Sequence, residues 1–177
     1  MTEIAAFSRP FSAGDDLLFL ELTNGLAGQR CWQVDALYGG ALRLHFGDRI
    51  QGRRWPRGSW VITCWGGDLV LTQGAQVTES RQAAPAEVYA AAEREIGAAI
   101  ASVRLDADSL ALELAMSSGT TVRIELDASC EGEAWAISLP SRQTLAVNSD
   151  RTWSLEDAPR LGRDAAGERR TPGPRTS

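Results

Sequence analysis

Two hydrophobic periods run through the chain. In ALRLHFGD, Leu42, Leu44 and Phe46 alternate with Arg43 and His45; in SLALELA, Leu110, Leu112 and Leu114 alternate with Ala111 and Glu113. Period-two alternation puts one set of side chains on each face of a strand, so both stretches predict half-buried strands in antiparallel hairpins. Gly39-Gly40 and the Asp106–Ser109 stretch mark the adjoining turns. TVRIELD, following a Ser118-Gly119 turn, continues the second sheet, and WVITCW, DLVLTQ, AWAISL, TLAVNS and RTWSLE supply further strands. Helical spacing occurs twice. Ser12 followed by Asp15 predicts a helix start, with the helix running through about Thr23 and stopped by Gly25. The second helix, AEVYAAAEREIGAAI, opens near Pro85, and Val88, Ala92, Ile96 and Ala99 or Ile100 make one apolar stripe.

The helices are followed by similar residues. Val34 and Val103 stand equally far after Gly28 and Gly97. Leu42, Leu44 and Phe46 then match Leu110, Leu112 and Leu114; Trp60-Val-Ile matches Trp135-Ala-Ile, and Leu69-Val-Leu matches Leu145-Ala-Val. The predicted fold class is α+β. Two degenerate helix-plus-antiparallel-meander units, about 12–80 and 84–157, form one mostly β domain over 1–159, with the helices on one face. The pattern fits either one sheet or two facing sheets.

Composition narrows the class. With 177 residues, 44% hydrophobic and 23% charged, the chain suits a single globular domain and excludes collagen-like and wholly disordered proteins. No window reaches the roughly 20 apolar residues of a membrane helix, and no basic-then-apolar leader opens the chain, so a soluble, cytoplasmic protein is expected, with no membrane partner. All 18 basic residues are arginine, which with abundant Ala, Gly and Asp suggests a high-GC bacterial genome. The net charge of −5 divides into an acidic body and the basic tail 160–177, which has no aromatic residue and only Leu161 as a large aliphatic. That tail is expected to be disordered, either a solvated terminus or a basic arm. The acidic body repels a phosphate backbone, so nucleic acid is disfavoured as a partner.

The inventory for catalysis is poor. Cys31, Cys64 and Cys130 are far apart with no C-x-x-C, and an odd number of free thiols fits a reducing compartment; no metal and no cofactor are expected. His45, the single histidine, is expected on the sheet surface away from the apolar side, without a nucleophile motif to serve. A phosphate-cradling loop ending in Gly-Lys is impossible without lysine. The chain is therefore read as a non-enzyme. Acidic pairs at Asp15-Asp16, Glu93/Glu95, Asp106/Asp108 and Glu131/Glu133 suit turns and solvated faces, and Asp106 and Asp108 sit where a turn is called for.

The segment DRIQGRRWPRGSW gathers Arg49, Arg53, Arg54 and Arg57 with Trp55 and Trp60. Arginine and tryptophan are the residue types most enriched at protein-binding hot spots. The same composition suits stacking on single-stranded nucleic acid, or a solvated loop. Of six tryptophans, Trp32, Trp60, Trp135 and Trp153 are expected as core and sheet anchors; Trp55 and Trp65 have no such assignment.

The stretches GQRCWQV, GGALRLHFGD, GSWVITCW and EAWAISLP resemble small bacterial proteins of uncharacterised function, some of them similar to immunity proteins of contact-dependent or secreted toxin systems. The resemblance covers roughly residues 15–155 and rests on hydrophobic, Gly and Trp positions. It implies an intracellular, acidic, non-enzymatic protein that blocks a partner protein, a cognate toxin, by steric and electrostatic means. Asp106, Asp108, Glu113 and Glu125, on or beside one predicted hairpin, are the candidate acidic contacts; Arg49, Arg53, Arg54, Trp55 and Arg57 are the candidate loop contacts. The alternatives are a small ligand-binding domain or enzyme with its pocket between helix and sheet, and nucleic-acid binding through the loop 49–60. Oligomeric state is not written in these motifs.

Overall fold

The alternating segments pair into two antiparallel sheets. A computed structural model describes residues 5–38, 41–51 and 56–157; Arg53, Arg54, Trp55 and the expected tail 160–177 lie outside the described residues. In chain order the elements are β1 (Phe7–Pro10), α1 (Asp15–Leu22), β2 (Cys31–Ala36), β3 (Leu42–Ile50), β4 (Arg57–Cys64), β5 (Asp68–Gln73), β6 (Gln76–Glu79), α2 (Pro85–Glu93), β7 (Ile100–Leu105), β8 (Leu112–Met116), β9 (Thr120–Glu125), β10 (Glu133–Ser138), β11 (Gln143–Asn148) and β12 (Thr152–Asp157). One sheet has seven strands, ordered β1-β12-β11-β10-β4-β3-β2, and the other has five, ordered β6-β5-β9-β8-β7. No helix among the described residues is long and apolar enough to cross a membrane.

The apolar sets face each other across the gap between the sheets. Val34, Leu44, Ile62, Ile137, Leu145 and Leu155 form one rung of the larger sheet. Val103, Leu114, Val122 and Leu71 form a rung of the smaller. Apart from half-buried Val103, all of these side chains are buried in the core.

Both helices differ from expectation at their ends. Ser12 does not cap α1; its backbone N–H and hydroxyl both donate to the Asp15 carboxylate, at 2.7 and 2.8 Å, and Arg9 pairs with the same group. The helix therefore opens at Asp15, behind Gly14 at φ +93°. In α2 Pro85 takes the first helical turn, as its preset φ suits, and the Ala84 N–H donates to Glu87 Oε2. α2 stops at Glu93, which leaves Ile96 out of the apolar stripe and exposed while Val88 and Ala92 are buried. The helices do not lie on one face of a sheet. α2 touches β2 and β6, the edges of different sheets, and closes the opening between them.

Each helix is followed by a three-strand meander in one sheet, after which the chain crosses to the other. β2-β3-β4 belong to the seven-stranded sheet and β5-β6 to the five-stranded one; β7-β8-β9 belong to the five-stranded sheet and β10-β11-β12 to the seven-stranded one. The segments entering the two meanders are bonded reciprocally. Gly28 N donates to Ile100 O and Gly97 N to Cys31 O; Cys31 N donates to Ala98 O and Ile100 N to Gln29 O. Gly47 N donates to Arg30 O and Ser117 N to Ala99 O, around the bridge between Arg30 and Ala99. Strand register makes Leu112 the positional counterpart of Leu42, since Ala36 lies beside Leu42 and Leu105 beside Leu112. This is two residues beyond the match read from the sequence. Likewise Trp60 and Trp135 sit on the third and fourth strands after their helices, and the counterpart of Trp135 is Leu69.

Candidate functional site

The predicted contact residues fall on two outer faces. On the five-stranded sheet, Asp106, Glu113 and Glu125 converge on Arg123. Arg123 Nε donates to Glu125 Oε1 at 2.8 Å and Nη1 to Glu113 Oε2 at 3.2 Å, while Nη2 lies 3.6 Å from Asp106 Oδ2. Arg104 adds a second cation 3.6 Å from Glu113. These carboxylates neutralise one another's surroundings through arginine and do not present a bare acidic patch. Asp106 also accepts the N–H groups of Asp108 and Ser109, which hold its carboxyl below the usual range, so the Asp106/Asp108 pair builds the turn. Asp108 itself is exposed.

Arg49 is on the outer face of the other sheet, its guanidinium 4.6 Å from the Trp32 ring centroid. Arg57 is half-buried at the start of β4. Among the described candidates, Asp106, Glu113 and Glu125 therefore do not share a surface with Arg49.

His45 is on the outward-facing side of its strand, as alternation requires, but it is only 3% exposed. Its Nε2 lies 2.8 Å from Asp35 Oδ2, and its Nδ1 accepts the Gly58 N–H at 3.1 Å. That second bond requires the neutral Nε2–H tautomer, with Nε2 donating to Asp35. A glycine is needed at 58, where a Cβ would come within 2.6 Å of the Phe46 carbonyl oxygen. Burial pushes the His45 pKa down, against the pull of Asp35. Both nitrogens are hydrogen-bonded and the ring itself is buried, so His45 meets the surface through the Asp35 carboxylate, which is 32% exposed.

Besides a larger, more open depression between β6 and α2, a cavity of about 220 Å³ lies at the crossover from β4 to β5. Leu42, Leu69 and Val88 supply apolar walls, and Trp65, 46% exposed, stands at the rim. Gly67 lets the chain cross tightly, because a Cβ there would sit 2.8 Å from the Glu125 carbonyl oxygen. The polar side is Asp68, buried, accepting the Ser80 hydroxyl at 2.5 Å and paired with Arg81 Nε at 3.1 Å. Arg81 Nη2 also lies 3.4 Å from Asp127 Oδ2. Cys64 and Cys130 both line the cavity; burial, then the charge of Asp68, pushes the Cys64 thiol up to about 12. On the far side of Trp65 a second, open depression carries Glu131 and Glu133. Burial, then Glu156, raises the Glu133 carboxyl, with Trp65 pulling the other way.

Sequence reasoning left Trp65 without a role and did not single out Asp68, Arg81 or Asp127. The local signal was a tryptophan followed by Gly66-Gly67 and an acid, at a break between two strand patterns. Nothing in spacing brings 64–69, 80–88 and 127–130 together; the crossing between sheets does. Compared with protein-family models, curated proteins and solved structures, the chain matches none.

Proposed function

We propose that the protein is a non-catalytic binding protein that engages another protein, acting as an immunity-type inhibitor of a bacterial toxin in the cytoplasm. The observation that carries this is Trp65, large, apolar and 46% exposed, standing beside Arg81 at the rim of a concave site. Tryptophan and arginine next to a cleft are the residues that concentrate binding energy in protein interfaces. The burial and lowered pKa of His45 and the raised pKa of the Cys31 and Cys64 thiols count against these groups as acid-base or nucleophilic catalysts. Three free cysteines are in keeping with a reducing compartment.

The test is co-expression with the product of the adjacent gene, followed by size-exclusion chromatography. A stoichiometric complex and relief of growth arrest are expected, with Trp65→Ala weakening the complex. No complex and no toxicity of the neighbour would overturn the reading.

A second reading has its own observation. The cavity lies between Pro85 and Val88 of α2 and both sheets, which suits a small-ligand domain with a pocket between helix and sheet.

The two helix-plus-meander units are read here as degenerate copies of one ancestral unit. The reciprocal hydrogen bonds at Gly28–Cys31 and Gly97–Ile100 support this. Fragments 1–80 and 81–157 are expected to associate in solution into one species with the strand content of the whole chain; persistent independence of the two would count against it.

A further inference from the structure

The structure assigns the cavity beneath Trp65 to one amphipathic cation: the side chain of an arginine or lysine on a protein partner. This rests on the protein-binding reading above and names what that surface takes up.

Corresponding positions in the two sheets differ. In the seven-stranded sheet, a rung runs Ala36–Leu42–Cys64–Trp135; in the five-stranded sheet, the corresponding rung runs Leu105–Leu112–Ile124–Leu69. Phe19 of α1 and Val88 of α2 lie equally far ahead of Gly28 and Gly97. Where the first set closes the core, Trp135 and Phe19 meet edge to face at 6.4 Å, both at most 1% exposed. Where the second set stands, Leu69 and Val88 are too small to meet in that way, and the cavity of about 220 Å³ lies against them. The residue ahead of Trp135 is the buried Ala134; the residue ahead of Leu69 is the buried Asp68. An unfilled, partly charged space costs stability, and the same architecture closes it elsewhere with two aromatic rings.

The lining selects the occupant. Trp65 and Pro85 offer accessible apolar surface to a methylene stem, above a floor of buried Leu42, Leu69 and Val88. Asp68 and Asp127 outnumber Arg81 at the polar side, and Glu131 and Glu133 lie on the other side of Trp65, so the local field favours a cation and opposes an anion. The exposed ring of Trp65 at the rim adds a cation–π surface.

The experiment titrates N-acetyl-arginine amide into the full chain and follows the indole N–H resonances, with Trp65→Phe assigning the signal of Trp65. A saturable shift in the millimolar range is expected. N-acetyl-norleucine amide, which keeps an aliphatic stem and lacks the charged head, should bind at least about tenfold more weakly, a difference of ~1.4 kcal/mol. Asp127→Asn should weaken the arginine probe severalfold, and Leu69→Trp, which copies the closed rung, should abolish binding. Val88→Phe fills the space from the helix side should Leu69→Trp fail to fold. The inference is overturned by an absence of saturation, by equal binding of the norleucine probe, or by binding that survives both filling variants. Tighter binding of free n-butylguanidinium than of the capped arginine would overturn the partner side chain as the source and assign the cavity to a soluble amine. If the arginine probe binds while no protein partner is held, the failure lies with the protein-binding reading. A stoichiometric partner held equally by wild type and Leu69→Trp leaves that reading intact and removes this one.

Discussion

Trp135 and Leu69 hold corresponding places, each on the strand that carries the chain into the opposite sheet. Trp135 is fully buried, donates its indole N–H to Leu110 O at 3.0 Å and packs against Phe19. Leu69 is equally buried but borders a cavity whose polar side is Asp68, Ser80 and Arg81. A parallel contrast follows the two helices. Leu26 and Glu95 stand equally far ahead of Gly28 and Gly97, and each N–H returns to a helix-end carbonyl, Leu26 to Thr23 and Glu95 to Ala92. Leu26 is 0% exposed among apolar neighbours, whereas Glu95, 2% exposed, accepts the hydroxyls of Ser118 at 2.5 Å and Thr120 at 2.7 Å. The two N–H groups are thus held in the same way on both sides. One side spends its interior on packing, and the other admits charge and space.

The sharpest way to break this contrast is to exchange the members of the Leu26/Glu95 pair. Leu26→Glu places a carboxylate where no hydroxyl donors are arranged and should cost ~4 kcal/mol or more. Glu95→Leu exchanges a buried acid for apolar volume but strands the Ser118 and buried Thr120 hydroxyls, and should cost the smaller amount of ~1–3 kcal/mol. Urea denaturation midpoints decide it; equal losses would mean that Glu95 is as well solvated as a surface acid.

Truncation of the two rungs comes next. Trp135→Ala should cost ~3–5 kcal/mol, and Leu69→Ala ~2–3 kcal/mol, because the smaller side chain gives up less buried surface. The reverse order would show that the space beside Leu69 is filled by water or side-chain motion. Asp68→Asn keeps the shape and one acceptor while removing the charge that meets Arg81, and should cost ~1–2 kcal/mol by the same measurement.

A smaller effect concerns pH. Unfolded histidine titrates near ~6.5, and buried His45 titrates below that, so the unfolded chain takes up the proton first. The contribution of His45 is fully present above that unfolded value and is lost as pH falls through the window below it. Melting temperatures from pH 7.5 to 5.5 should therefore drop more for wild type than for His45→Gln, and parallel curves would exclude His45 as the source. Smallest in energy is thiol reactivity. Burial holds the Cys31 thiol up at about 11 and Cys64 at about 12, so native protein at mildly alkaline pH should expose one fast-reacting thiol, Cys130, until unfolding releases the rest. Mass spectrometry of the labelled peptides checks the assignment.

The strands were legible because their cause is local. Leu42-x-Leu44-x-Phe46 and Leu112-x-Leu114 declare which face is buried, whatever lies opposite. The short strands β1 and β6 were not legible: Phe7–Pro10 and Gln76–Glu79 have exposed or half-exposed residues throughout and exist because β12 and β5 offer them open edges. The start of α1 was misread for a similar reason. Ser12 and Asp15 carry the spacing of a cap, but the bonds run from Ser12 to Asp15.

The candidate site divides along the same line. From sequence alone Trp65 had no core assignment, and Asp106 was read as a turn former. That Asp106, Glu113 and Glu125 are spent on Arg123, and that Arg49 is on the opposite sheet, depends on pairing between distant strands. The sequence by itself determined two helix-led runs of antiparallel strands, their buried faces and a chain with one histidine, three cysteines and no lysine. Only the tertiary structure decided that each run finishes in the other's sheet. With that crossing, Trp135 fills one end of the core and Leu69 leaves the other open, since whether a side chain fills its space depends on what the fold sets against it.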